Sequence, residues 1–156
     1  MDPVAIEGPG LVEHLAETLF GIFVNAPKLR VVIVEDSVII RARLAETVRE
    51  IPNLEIVGSA ETEADALALL RGEDWDAAIL DLQLKQGTGL GVLKSLAATG
   101  KPAGKKIIVF TNFAFPQYRD RSLKLGADFF FDKAREFHRV PEVLEALATG
   151  DPQASA

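Results

Sequence analysis

The sequence contains no cysteine, so disulfides, thiolate zinc sites and a cysteine nucleophile are excluded. Histidine occurs only at His14 and His138, each isolated, and neither is assigned a metal or phosphoryl role. No apolar run approaches the ~20 residues that a membrane span needs. The amino terminus has no basic segment followed by an apolar one, so no secretory signal peptide is expected. Basic runs are missing too, and the net charge is −6, which argues against direct nucleic-acid binding. Nor is there a glycine motif able to cradle a nucleotide's phosphates. A cytoplasmic protein without a membrane segment is the simplest expectation. What is present is 156 residues, 48% of them hydrophobic, enough for one domain with a real core.

That core is announced by short apolar runs that end in polar residues. Ala77 to Leu80 is the clearest, because it stops abruptly at Asp81. A bounded run of this length reads as a buried strand. An aspartate at its carboxyl end suits a site, since open α/β sheets bind ligands outside the carboxyl ends of their strands. Arg30 to Glu35 is a second such run and ends at Glu35-Asp36-Ser37. Leu54 to Ser59, Ile107 to Phe110 and Asp128 to Phe131 complete five strands, with Thr111 and Lys133 just past the last two.

Helical spacing fills the intervals. Asp36 or Ser37 can cap a helix from about Val38. In it Ile40, Leu44 and Val48 face the sheet, and Arg41, Arg43, Glu46, Arg49 and Glu50 cover the outside. Thr62 and Asp65 resemble a capping box for a helix ending at Arg71-Gly72. Further helices run from Leu90 to Ala98, from Pro116 to the glycine at 126, and onward to about Ala148, with Pro141 near the start of the last. Tyr118 and Arg119 read as a solvated helix face. Alternating strands and helices predict an α/β fold with a doubly wound, five-stranded parallel sheet and helices on both faces.

Residues 1–29 are an extension in front of the main domain, 30–149. Met1 to Gly10 reads as irregular. Leu11, Leu15, Leu19, Ile22 and Phe23 then mark an amphipathic helix, closed by Asn25-Ala26-Pro27. One reading is a helix packed on its own domain or a partly frayed extension; the other is a dimerisation or partner-docking helix. Residues 150–156 form a polar tail, and no second domain is expected after it.

In a parallel sheet the strand ends share one edge. Glu35, Asp36, Asp81, Thr111 and Lys133 therefore converge on one crevice. Carboxylates this close repel one another unless a cation joins them, and oxygen-only ligands suit Mg²⁺. Phosphoryl transfer needs mainly positioning and charge neutralisation, which this set offers.

From about Leu29 to Ala148 the chain resembles the receiver domain of two-component response regulators. The resemblance is carried by Val-Val-Ile-Val-Glu-Asp-Ser, by Leu-Asp-Leu-Gln-Leu followed by Gly-Thr-Gly-Leu, by Val-Phe-Thr-Asn and by Gly-Ala-Asp-Phe-Phe-Phe-Asp-Lys, in order. It implies a flavodoxin-like fold with strand order 2-1-3-4-5. It implies that Asp81 accepts a phosphoryl group from a histidine kinase or histidine phosphotransfer protein. Asp36, Asp81 and the Gln83 main-chain carbonyl would bind Mg²⁺, with Glu35 acting through water. Thr111 and Lys133 would contact the phosphoryl oxygens. Thr111 and Phe130 would form the switch that changes the surface of the fourth and fifth strands and the last two helices.

Three positions depart from the family pattern. Ala134 stands where proline usually follows the lysine through a cis bond. A cis bond before a non-proline residue costs ~2.5–4 kcal/mol, so a trans bond and a shifted loop are expected. Asn112 replaces a small residue, and Lys85 replaces a frequent proline. Phe113, two residues past Thr111, is expected with Gln83 to slow hydrolysis of a phosphoaspartate. Two other functions compete with the phosphoacceptor reading: a binding module that keeps the fold without phosphorylation, and a Mg²⁺-dependent phosphohydrolase with an aspartyl nucleophile. The second lacks an acid two residues after Asp81, where Gln83 stands.

Overall fold

A computed structural model describes residues 8–24, 28–72 and 74–150, with side chains omitted at 8, 9 and 20–24. The expectations for Met1 to Glu7, for Asn25-Ala26-Pro27, for the Ile22 and Phe23 side chains and for the tail from residue 151 lie outside what is described.

Five strands form one parallel sheet, β1 (Leu29–Val34), β2 (Leu54–Ala60), β3 (Ala77–Leu80), β4 (Lys106–Thr111) and β5 (Phe129–Asp132), in the order β2-β1-β3-β4-β5. Six helices accompany them: α1 (Gly8–Val24), α2 (Val38–Glu50), α3 (Glu63–Leu70), α4 (Gly89–Thr99), α5 (Pro116–Lys124) and α6 (Arg139–Thr149). The expected order and architecture are those observed.

The strands are apolar along their length because both faces are covered, and alternate residues serve different helices. Val32, Val34, Ala78, Leu80, Ile107, Val109 and Phe130 pack with Ala66, Leu70, Val92, Leu93 and Leu96, from α3 and α4. Val31, Ile33, Ala77, Ile79, Ile108, Phe110, Phe129 and Phe131 pack with Leu44 and Val48 of α2 and with Val140, Val143 and Leu144 of α6. All three consecutive phenylalanines of β5 are therefore core, two on one face and one on the other.

The local signals mostly act where the sequence puts them. Ser37 caps α2 through Ile40 N–H at 3.3 Å, and Thr62 caps α3 through Asp65 N–H at 3.2 Å. Pro141 sits in the first turn of α6, where no intrahelical N–H is lost. Two local readings change. Gly8 to Gly10 are helical, not irregular, because a proline at position 9 is tolerated in a first turn. Tyr118 is half-buried rather than solvated, with its ring 5.8 Å from that of Phe113.

Of the two readings of α1, packing onto its own sheet is not what is observed for Leu11, Leu15 and Leu19. All three are exposed. No helix among the described residues is long and apolar enough to cross a membrane.

Candidate functional site

The chain reverses its direction of winding at β1, whose neighbours are β2 on one side and β3 on the other. Such a switch point opens a crevice at the carboxyl ends of the two central strands. Register fixes what stands there. Val34, Leu80, Val109 and Phe130 are paired across four adjacent strands. The next rung therefore begins with Glu35 after β1 and Asp81 after β3. Thr111 pairs with Asp132 one rung further, and Lys133 follows.

Three of these side chains, Glu35, Asp81 and Lys133, meet at bonding distance. The Lys133 ammonium lies 2.7 Å from Glu35 Oε2 and 2.7 Å from Asp81 Oδ2. Ala134 does not compromise this reach. No peptide among the described residues is cis, and Ala134 N–H donates to Asp132 Oδ1 at 2.9 Å to close the turn. Lys133 N–H in turn donates to the Thr111 carbonyl at 3.0 Å, which pins the lysine to β4.

Burial sharpens the electrostatics. Glu35 is 1% exposed and Asp81 4%, while the Lys133 side chain is 8% exposed. Burial pushes the Glu35 carboxyl above its usual range, against the Lys133 hydrogen bond that favours its charge, and nearby Asp81 adds to the rise. Burial works against the Lys133 charge as well, but hydrogen bonds to Asp81 and Glu35 outweigh it and raise the ammonium above its ordinary value. Lys133 therefore stays cationic between two carboxylates.

Glu35, Asp36 and Asp81 each offer an oxygen such that all three atoms lie within 4.8 Å of one another. This oxygen-only set, with half-exposed Asp36 open to water, fits a hard divalent cation of the Mg²⁺ kind. Gln83 is exposed two residues beyond Asp81, and its N–H donates to Asp81 Oδ1 at 3.3 Å. Thr111 is fully buried, with its hydroxyl accepting Phe113 N–H at 3.2 Å. Phe130 is buried and already points into the core beside Val109. Phe113 is half-buried at the mouth, and Asn112 and Lys85 are exposed.

One arginine belongs here that helical periodicity puts elsewhere. Arg41 does not simply cover the outside of α2. It is partly buried and donates to the Glu35 main-chain carbonyl at 3.1 Å and to Glu61 Oε1 at 2.7 Å. Its signal in the sequence is its place one turn after the Ser37 cap, because helical side chains lean toward the helix N-terminus. Gly89 is a second such residue. A Cβ there would meet the Asp81 carbonyl oxygen and come within 2.8 Å of Leu82 Cα, so α4 begins flush against the acidic strand end.

Residues 31–145 match the family model of the response regulator receiver domain. The chain belongs to that family. Over 122 residues it is 26% identical to the transcriptional regulatory protein DesR of Bacillus subtilis, which covers 78% of this chain and 59% of DesR. The chain thus spans less than two thirds of that relative's length. The signal receiver domain of the putative response regulator NarL from Mycobacterium tuberculosis superposes with a TM-score of 0.70 at 22% identity, covering 80% of this chain and 98% of that one. The Saccharomyces cerevisiae co-crystal structure of the histidine phosphotransfer protein Ypd1 with the receiver domain of Ssk1 matches with a TM-score of 0.68 at 20% identity, over 79% of this chain and 90% of that one. At these identities the two structures speak for the fold of this receiver.

Proposed function

We propose that this receiver is a phosphoacceptor in a histidine-to-aspartate relay, with Asp81 as the residue modified. The observation that carries the reading is Lys133, whose ammonium reaches Asp81 and Glu35 at 2.7 Å each inside a cluster of three carboxylates. An Asp81 carboxylate oxygen would form the new O–P bond as the N–P bond of a phosphohistidine breaks and the imidazole leaves. The product is an acyl phosphate, a form of covalent intermediate that carboxylates support.

Roles follow from position. Lys133 neutralises charge on the transferred group, and the Thr111 hydroxyl, which accepts Phe113 N–H, would donate its own O–H to a phosphoryl oxygen. Asp36, Asp81 and the Gln83 carbonyl would hold Mg²⁺, with Glu35 acting through water. The cation's contribution is to draw charge from the phosphoryl oxygens. Phe130, two rungs from Thr111, carries the change to the surface of β4, α5, β5 and α6. Phe113 and Gln83 would restrict water at the phosphoaspartate. The proposed donor is a histidine kinase or a phosphotransfer protein such as the one seen with the Ssk1 receiver, and the proposed setting is the cytoplasm. Self-phosphorylation and autodephosphorylation are the only catalysis expected, without turnover of other substrates.

The test is intact mass after incubation with a small phosphodonor and Mg²⁺. One added phosphoryl group on the wild type, absent from Asp81→Asn and absent when the metal is chelated beforehand, is the expected result. No adduct, with fast release of free phosphate also ruled out, would leave a receiver fold that binds partners without phosphorylation.

A further inference from the structure

The loops at the carboxyl edge of the sheet are tied to one another, and the tie runs through Arg41. Its guanidinium Nη1 donates to the Glu35 carbonyl, the oxygen of the peptide that leads into Asp36, and to the Glu61 carboxylate beyond β2. The Glu61 main chain continues the connection. Its carbonyl accepts Lys85 N–H at 3.1 Å, and Glu63 N–H donates to the Gln86 carbonyl at 2.9 Å. Thr62 and Gln86 form a parallel bridge in the same stretch. The loop after β3, which carries Gln83, is thus laid against the turn after β2 like a short extra strand.

We propose that Arg41 is a positioning residue for the divalent-cation site, holding the Asp36 loop and the Gln83 loop at a fixed spacing through Glu61. The inference rests on the cation site proposed above and adds a residue outside its ligand set. A charge argument alone points the opposite way. A guanidinium close to three carboxylates opposes a second cation there. Glu61 cancels most of that charge, since the two side chains form an ion pair at 2.7 Å. What remains is geometry: the two N–H groups of Nη1, fixed in the guanidinium plane, point to two loops, whereas a lysine ammonium sits on a freely rotating stem and holds no such fixed directions. Residues that orient metal ligands without touching the metal typically change affinity by roughly 10–100-fold when lost.

The experiment is a calorimetric Mg²⁺ titration of the full metal-free chain, for wild type, Arg41→Ala and Arg41→Lys. Amide hydrogen exchange at Glu35 and Lys85, whose N–H groups donate to the Ala60 and Glu61 carbonyls, is read without metal, and phosphorylation is read by intact mass at low and saturating Mg²⁺. Arg41→Ala is expected to weaken Mg²⁺ binding roughly tenfold and to speed exchange at both amides. Its phosphorylation rate should fall at low Mg²⁺ and recover at saturation, a split that general loss of structure would not give. Arg41→Lys keeps the charge and the stem, so it carries the test even if the alanine variant unfolds. It is expected to bind Mg²⁺ more weakly than wild type as well.

Binding as tight as wild type, or tighter, in a folded Arg41 variant would overturn the inference, because the guanidinium would then act only as a nearby charge. A wild type that binds no Mg²⁺ would overturn both the inference and the site. A wild type that binds Mg²⁺ but takes no phosphoryl group would remove the proposed function, and the positioning role would stand or fall on affinity and exchange.

Discussion

Asp76 does at the amino ends of the strands what Lys133 does at their carboxyl ends. Standing just before β3, it accepts Arg30 N–H at 2.8 Å, Arg30 Nε at 3.1 Å and Arg30 Nη2 at 3.2 Å, so one carboxylate locks β1 to β3. Arg30 holds its carboxyl below the usual aspartate value of 3.8. A lowered folded value means that the stabilisation is present above the usual value and is lost as pH falls through the lower one. Asp76→Asn is expected to cost about 1 kcal/mol at neutral pH, a modest figure because both side chains remain a third exposed. Urea denaturation of wild type and variant from neutral pH down to about 3 should show the two curves converging at the acid end. A constant gap across that range would mean that the ion pair contributes nothing specific.

At the scale of elements, the loop from β3 into α4 decides how exposed Asp81 can be. Gly89 and Gly91 both lie in the first turn of α4, yet they meet different obstacles. A Cβ at Gly89 would run into the Asp81 and Leu82 backbone. At Gly91 the obstacle is the Glu63 carboxylate, the free end of a side chain that can swing away. Gly89→Ala is therefore expected to cost about 1–3 kcal/mol, as overpacking does, and to weaken Mg²⁺ binding because the Asp81 backbone must move. Gly91→Ala should be close to neutral, since a helix gains about 1 kcal/mol when alanine replaces glycine. Thermal melts with and without Mg²⁺ separate the two.

Such asymmetry is not legible in the sequence. The strand ends are, because a buried parallel strand is a continuous apolar run and a charge at its end stands out, as Asp81 does after Leu80. Arg41 escapes notice for a physical reason. Periodicity assigns a face to a residue but not the direction in which a long side chain leans. Tyr118 escapes for another: its neighbours Phe113 and Phe115 come from the loop before α5, and no helical pattern contains them.

On the scale of the whole molecule, the sheet has two edges, β2 and β5, and each pair of neighbouring strands is joined through at least one helix. Lys133 reaches Asp81 across 52 residues, and it also holds Glu35, which stands at the opposite end of the domain's sequence. That bridge can close only after the last strand is in place. Seen in time rather than in space, it is a late latch. Contacts that form after the folding transition state leave the folding rate almost unchanged and slow unfolding instead. In stopped-flow chevrons, Lys133→Ala is expected to leave the folding arm in place and to shift the unfolding arm upward by about a hundredfold or more, the kinetic counterpart of a few kcal/mol lost when a buried pair is broken. A slower folding arm would put the latch in the nucleus. With the folding arm unchanged, the lysine proposed to neutralise the transferred phosphoryl group also sets how long each folded copy lasts before it opens.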